Sequence, residues 1–241
     1  MHEDVSALGQ TVGFVVDGWT PPARPPREPM IGRTCRTEPL DAARHGADLH
    51  TANMLDLDGR NWTYLPYGPF KTLEEYVVWL TGVASTADPQ FHAIVDLATG
   101  EAVGIASYLR IDPGNGSIEV GHINFSPQLQ RTIAATEAMY LMMKRTFELG
   151  YRRYEWKCNA LNAPSRAAAQ RLGFSYEGVF RQATVAKGRN RDTAWYAAID
   201  REWPALDAAF QRWLAPANFD ERGRQRTPLS ALTAPILVTR G

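Results

Sequence analysis

Apolar and polar positions alternate with the period of a strand from Ser117 to Phe125, and a few residues later the period becomes that of a helix. On strict alternation Ile118, Val120 and His122 share one face, and Glu119, Gly121, Ile123 and Phe125 share the other. Pro127 has no amide to give to a ladder, so the strand stops before it. From Gln130 onward, the spacing of Met139, Met142, Met143 and Phe147 predicts a helix. Glu137, Lys144 and Glu148 lie away from its apolar stripe, and Gly150 ends it. A further strand follows in YRRYEWKC. A second helix then has Asn162 as its cap, Pro164 in its first turn, and the pair Gly173-Phe174 at its end.

The same patterning orders the rest of the chain. Residues 33–37 alternate like an edge strand, and Asp41 caps a helix running to about residue 49. Thr72 and Glu75 form a capping box for a helix to about residue 83. Residues 91–96 and 102–111 predict antiparallel strands that end at the dense turn Asp112-Pro113-Gly114-Asn115-Gly116. After Phe174, residues 177–185 and 193–199 read as a closing hairpin, and a short amphipathic helix runs from Glu202-Trp203-Pro204 to about residue 214. The segment TPPARPPREP favours an extended polyproline conformation. With Phe14, Val15, Val16 and Trp19 before it as anchors, residues 1–30 read as a proline-rich arm across the domain. This divides the chain into an arm (1–30), a domain (31–215) and a tail (216–241) whose docking stays open.

Composition narrows the function classes. The 241 residues are 44% hydrophobic, and 26 Lys and Arg balance 26 Asp and Glu. That supports a sizeable core and removes the electrostatic reason for nucleic acid or an anionic membrane as partner. Cys35 and Cys158 form no CxxC, and there is no apolar run of about 20 residues, so a reducing cytoplasm is the expected setting. The histidines show no ligand spacing, and no metal is expected. Dinucleotide, P-loop and serine-hydrolase fingerprints are absent.

Three blocks carry a resemblance: Gln130-Arg131-Thr132-Ile133-Ala134-Ala135-Thr136-Glu137-Ala138, Asn162-Ala163-Pro164-Ser165 and Arg171-Leu172-Gly173-Phe174. In this order they resemble the GCN5-related N-acetyltransferases, and more narrowly the RimJ/RimL-like branch. The resemblance implies an α+β fold, with a mixed, mostly antiparallel sheet of about seven strands and helices on both faces. It also implies acetyl-coenzyme A as co-substrate. The family's Gln/Arg-x-x-Gly-x-Gly/Ala loop maps onto Gln130, Ile133 and Ala135. Ile133 stands where the family has glycine, which costs close approach and positive φ but keeps the amide. The N–H groups from Gln130 to Ala135, at a helix start, make an anion cradle. It includes Arg131, Thr132 and Ala134, with Thr136 behind. The resemblance also places the acyl carbonyl at the backbone of Ile123, Asn124 and Phe125, and the pantetheine arm near Asn159 and Asn162.

Acyl transfer needs a polarised carbonyl, a neutral amine and a protonated leaving thiolate. Glu119 ranks first as base, with His122 and the turn residue Asp192 behind it. A structural carboxylate, a structural strand histidine and a self-bonded turn aspartate are the plain readings of the same three. Ser165 is the candidate proton donor to sulfur, or simply a helix-start serine. Trp62, Tyr64 and Tyr67, with Phe70, form a candidate wall of the acceptor pocket, or a set of rings packed beneath a loop. The implied activity is acetyl transfer to a primary amine, a protein N-terminus or a small amine, by direct attack in a monomer or homodimer. Two alternatives remain. One is an acyltransferase using another donor such as succinyl-coenzyme A, which wants a cation beside the acyl terminus. The other is a coenzyme A-binding regulatory or interaction module without turnover.

Overall fold

The computed structural model describes residues 3–241. A small hairpin of β1 (Glu3–Val5) and β2 (Thr11–Gly13) stands apart from the main sheet. The main sheet begins with β3 (Met30–Ile31) and β4 (Cys35–Pro39). Helix α1 (Ala42–Asn53) starts where the Asp41 carboxylate accepts the N–H groups of Ala43 and Arg44. Helix α2 (Leu73–Ala84) starts where the Thr72 hydroxyl accepts from Glu75. Strands β5 (Gln90–Asp96), β6 (Ala102–Asp112) and β7 (Ser117–Phe125) lead into α3 (Ile133–Glu148). Then come β8 (Arg153–Asn159), α4 (Ala163–Arg171), β9 (Ser175–Ala186) and β10 (Arg189–Ile199). Helices α5 (Trp203–Leu214) and α6 (Leu229–Thr233) end the chain.

The main sheet has eight strands in the order β3-β4-β5-β6-β7-β8-β10-β9, one more than the count expected, because Met30 and Ile31 pair with β4. Every pairing is antiparallel except β7 with β8. One face packs α3, α4, α5 and Leu229 over Ile118, Val120, Tyr154 and Tyr196. The other packs Leu49 of α1, Tyr76 and Leu80 of α2, and Trp62 over Phe91, Ala93 and Ile105. Helices therefore cover both faces, as the resemblance implied.

Glu137 departs from its expected exposed place on α3. It is buried, and its carboxylate accepts from the backbone of Arg33 (2.9 Å), Thr34 (2.7 Å) and Cys35 (3.2 Å) and from the Thr34 hydroxyl (2.6 Å). Four donors from one tight turn satisfy a carboxylate that has no cation beside it.

The N-terminal arm lies on the domain through its carbonyls and its prolines. Pro22 and Pro25 are buried, and Pro25 accepts from the Gln90 amide at 3.1 Å. The Arg145 guanidinium donates to Glu28 O (2.6 Å) and Pro29 O (3.0 Å). The Trp19 ring covers Gly116, the Arg201 guanidinium lies 4.5 Å over the Phe14 ring, and Val15 stays exposed. The tail also docks. The Asn218 side chain accepts from Thr227 N and donates to Trp213 O and Thr227 O. Further on, Thr233 donates to Arg171 O, and Val238 N to the Ser175 hydroxyl.

Candidate active site

Strands β7 and β8 pair only from Ser117↔Arg153 to Val120↔Trp156. Beyond that rung β7 continues on β6 as far as Gly104↔Phe125, and β8 continues on β10 as far as Asn159↔Thr193. The parallel pair therefore opens into a V. Its arms are residues 121–125 and 157–159, and α3 begins beyond the first arm.

A bulge shapes the first arm. Ser107 pairs with Gly121 and Ile105 with Asn124, so two residues of β7 oppose Ala106, and His122 takes φ +51°. The bulge shifts the alternation by one residue. Ile123 and Phe125 join Ile118 and Val120 on the α3 side, whereas the His122 ring meets Phe91 at 5.0 Å on the α2 side. This corrects the assignment of Glu119 and His122 to opposite faces: both point to the α2 side of the cleft.

Glu119 is buried against two cations, with Arg110 Nη1 at 2.7 Å and Lys157 Nζ at 2.9 Å. Burial pushes its carboxyl above the ordinary value, and the two cations pull against that shift without reversing it. Lys157 also holds Glu155 at 2.6 Å and lies 3.9 Å over the Trp195 ring. His122 shares a hydrogen bond between its Nδ1 and the Tyr67 hydroxyl (3.1 Å), and the two rings stack. Burial, with the charges of Arg110 and Arg191, lowers the imidazole to about 4, so it is uncharged at neutral pH. Asp192 is spent in its turn, accepting from Gln182 N and the Asn190 amide.

At the start of α3 the cradle is narrower than the run Gln130–Ala135. Gln130 N and Thr132 N donate to Ser126 O and Leu129 O, and Ala135 N donates to the Thr132 hydroxyl, which caps the helix. Among the described residues the amides of Arg131, Ile133 and Ala134 have no acceptor. The left-handed residue is Arg131 (φ +63°), whereas Ile133 opens the helix with ordinary φ. The isoleucine therefore causes no backbone strain, and its side chain packs on the core. The Gln130 side chain is engaged elsewhere, donating to Phe125 O (2.8 Å) and Asn61 Oδ1 (2.9 Å). The Thr136 hydroxyl receives Arg171 Nη1 at 3.1 Å.

On the second arm, Asn159 Oδ1 accepts from Leu161 N, and Asn162 Oδ1 caps α4 by accepting from Ser165 N. Ser165 Oγ accepts the indole N–H of Trp156 at 3.0 Å. Burial raises the neighbouring Cys158 thiol, opposed first by the Ser165 hydroxyl and then by Arg191.

The 60–70 loop closes the α2 side of the V. Asn61 donates to Phe125 O at the end of the first arm, and the Tyr64 hydroxyl to Leu161 O beyond the second. Lys187, in the β9–β10 turn, donates to Trp62 O (2.8 Å) and Gly68 O (3.0 Å). Trp62 is 4% exposed and packs edge-on beneath Tyr67 and Phe70. Of the four aromatics named from the sequence, Tyr67 alone touches a candidate base. Asn61, Arg110 and Lys157 gave no local sequence signal, and Lys187 and Arg191 belong to a basic cluster that reads locally as solvated hairpin charge, because only the tertiary structure brings them to the cleft.

The donor set suits a diphosphate: three free amides at the N-terminus of a long helix, beside a strand pair that parts beyond Val120 and Trp156. Residues 40–175 match the family described as the acetyltransferase (GNAT) domain. The chain belongs to that family. It is 46% identical to a GCN5-related N-acetyltransferase from Brucella melitensis of known crystal structure, over 91% of this chain and 100% of that one, with a TM-score of 0.89. A GNAT-family protein from Chromobacterium violaceum ATCC 12472 is 41% identical over 80% of this chain and 97% of that one, with a TM-score of 0.75. The ribosomal-protein-serine acetyltransferase of Escherichia coli K12 is 35% identical over 101 residues, 41% of this chain. The match spans 55% of that enzyme's length and 62% of a second curated relative, an N-acetyltransferase called p20 from Bacillus licheniformis.

Proposed function

We propose that the protein transfers an acetyl group from acetyl-coenzyme A to a primary amine by direct attack. The observation that carries this reading is the trio of free amides at Arg131, Ile133 and Ala134, set where β7 and β8 part. These amides hold the pyrophosphate, and the V takes the pantetheine arm. Coenzyme A supplies the acyl group as a thioester. The amine nitrogen forms the new C–N bond, the C–S bond breaks, the nitrogen gives up one proton, and sulfur leaves as a thiolate that gains one.

His122 is the proton acceptor in this scheme. It is uncharged at neutral pH and faces the cleft with Tyr67 fixing its ring. Glu119, paired with Arg110 and Lys157, sets the local field instead of accepting the proton. Ser165 is the donor to sulfur. Its oxygen already receives the Trp156 indole, which leaves the O–H to give. Tyr67 and Tyr64 line the acceptor side, with Trp62 as their support. Residues 31–215 carry the activity, in a cytoplasmic monomer or homodimer that acts without nucleic acid, a reading the zero net charge supports.

Thiol release from acetyl-coenzyme A tests the scheme, with a panel of small amines and peptides that includes an N-terminal serine. Release with at least one amine is expected. Tight coenzyme A binding with no release across the panel would make the protein a binding module.

A further inference from the structure

Strand β10 begins beyond the end of β8, so its first residues, 189–192, extend past the second arm of the V. The β9–β10 irregularities fall on β9, so β10 keeps strict alternation. Ala194, Tyr196 and Ala198 belong to the α3-side core. Arg191, Thr193 and Trp195 therefore point to the α2 side, the side on which Lys157 lies over Trp195 and reaches Glu119.

The other charges facing this space are already matched. Arg110 and Lys157 hold Glu119, Lys157 and Arg153 hold Glu155, and the Asp192 carboxylate bonds its own turn. Arg191 differs. Among the described residues it has no carboxylate within ion-pair distance, and its Nε is buried without an acceptor. The indole N–H of Trp195 on the same face, and both amide atoms of Asn124 on the opposite arm, are likewise buried and unpartnered. Orphaned donors of this kind are uncommon, and a half-buried guanidinium whose Nε is buried without an acceptor offers an anion a site. The guanidinium fork matches a carboxylate in two parallel hydrogen bonds.

We propose that Arg191 recognises a carboxylate carried by one of the two reactants, which makes the transferase selective for an acidic reactant. The proposal rests on the reading of the cleft as an acyltransferase site. The carboxylate has two possible bearers: an amino-acid-like acceptor, or the far end of a dicarboxylic acyl group. A cation beside the acyl terminus is what the second bearer requires.

Two matched pairs separate the sources: L-serine against serinamide as acceptor, and succinyl-coenzyme A against acetyl-coenzyme A as donor. Each is measured on the full chain, by steady-state turnover and by calorimetric binding, acceptors being titrated in the presence of coenzyme A. The parent is expected to favour the carboxylate-bearing member of one pair. Arg191→Ala should cut that preference about 10–100-fold, mainly through KM and Kd, and Arg191→Lys should restore part of it. No preference in either pair, or a preference that survives Arg191→Ala, overturns the proposal. Calorimetric preference without turnover leaves the recognition standing and removes the transferase reading, while turnover without preference does the reverse.

Discussion

Replacing Ile133 by proline tests the cradle one donor at a time. Ile133 is the first residue of α3, and its N–H has no acceptor among the described residues. Proline is well tolerated at that helix position because the missing donor is an orphan there. Thr132 before it is extended (φ −94°, ψ 167°), the conformation that a following proline demands. The substitution thus removes one ligand-facing N–H and the half-buried side chain, and leaves the helix intact. Ile133→Ala removes the same side chain and keeps the N–H. A hydrogen bond to a charged group contributes about 1.5–3 kcal/mol, so Ile133→Pro should weaken coenzyme A about 10–150-fold relative to Ile133→Ala. Both variants should lose a similar ~1 kcal/mol of fold stability from the lost packing. Calorimetric titration with coenzyme A gives the Kd values, and thermal melts without ligand control for folding. Equal affinities for the two variants, with both folded, would show that the pyrophosphate does not use this amide and would sink the cradle as drawn.

His122→Ala should lower kcat by about 100-fold or more, and Tyr67→Phe by less, with the KM for acetyl-coenzyme A little changed; a kcat within about threefold of the parent would remove the histidine from proton transfer. Burial pushes the Glu137 carboxyl up, and the bonds from Arg33, Thr34 and Cys35 outweigh it and hold the group below its ordinary value. Glu137→Ala strands three backbone donors and should cost about 3 kcal/mol in urea unfolding, with Glu137→Gln costing roughly half. His92 is fully buried, and desolvation lowers it from 6.5 to about 4. The unfolded chain therefore takes the proton first, so stability present above 6.5 is lost as the pH falls towards about 4. This amounts to about 2 kcal/mol at about pH 5. Unfolding free energies at neutral and acid pH should show that slope in the parent on top of the one from His122, also lowered to about 4, and His92→Phe should reduce the total by the His92 share.

Within the domain the element order was legible because those helices and strands announce themselves locally, whereas β1, β2, β3 and α6 gave no such pattern. Asp41, Thr72 and Asn162 cap the helices predicted from them, and the Met139–Met143 stripe faces the core it was drawn for. The helix start after β7 was legible for the same reason, and a helix start offers amides whatever side chains it carries. Which amides remain free was not legible, because Thr132, Ser126 and Leu129 claim theirs through the particular path of the turn. The buried place of Glu137 depends on a turn about a hundred residues earlier in the chain, a contact that helical periodicity does not carry.

The sequence by itself determined the helix start after β7 and the helix that follows it, since these rest on periodicity, capping chemistry and spacing within a few residues, and its three blocks carried the resemblance that implied the fold class. Tertiary structure decided the chemistry of the cleft. One extra residue in β7 turned His122 onto the face of Glu119, and a period-two count has no means of registering a bulge. The sheet order then set Arg191 and Lys157, on strands far apart in the chain from β7, beside those two residues. Burial there made the histidine neutral and left Arg191 Nε without an acceptor, and burial belongs to the assembled sheet and not to any one segment of it.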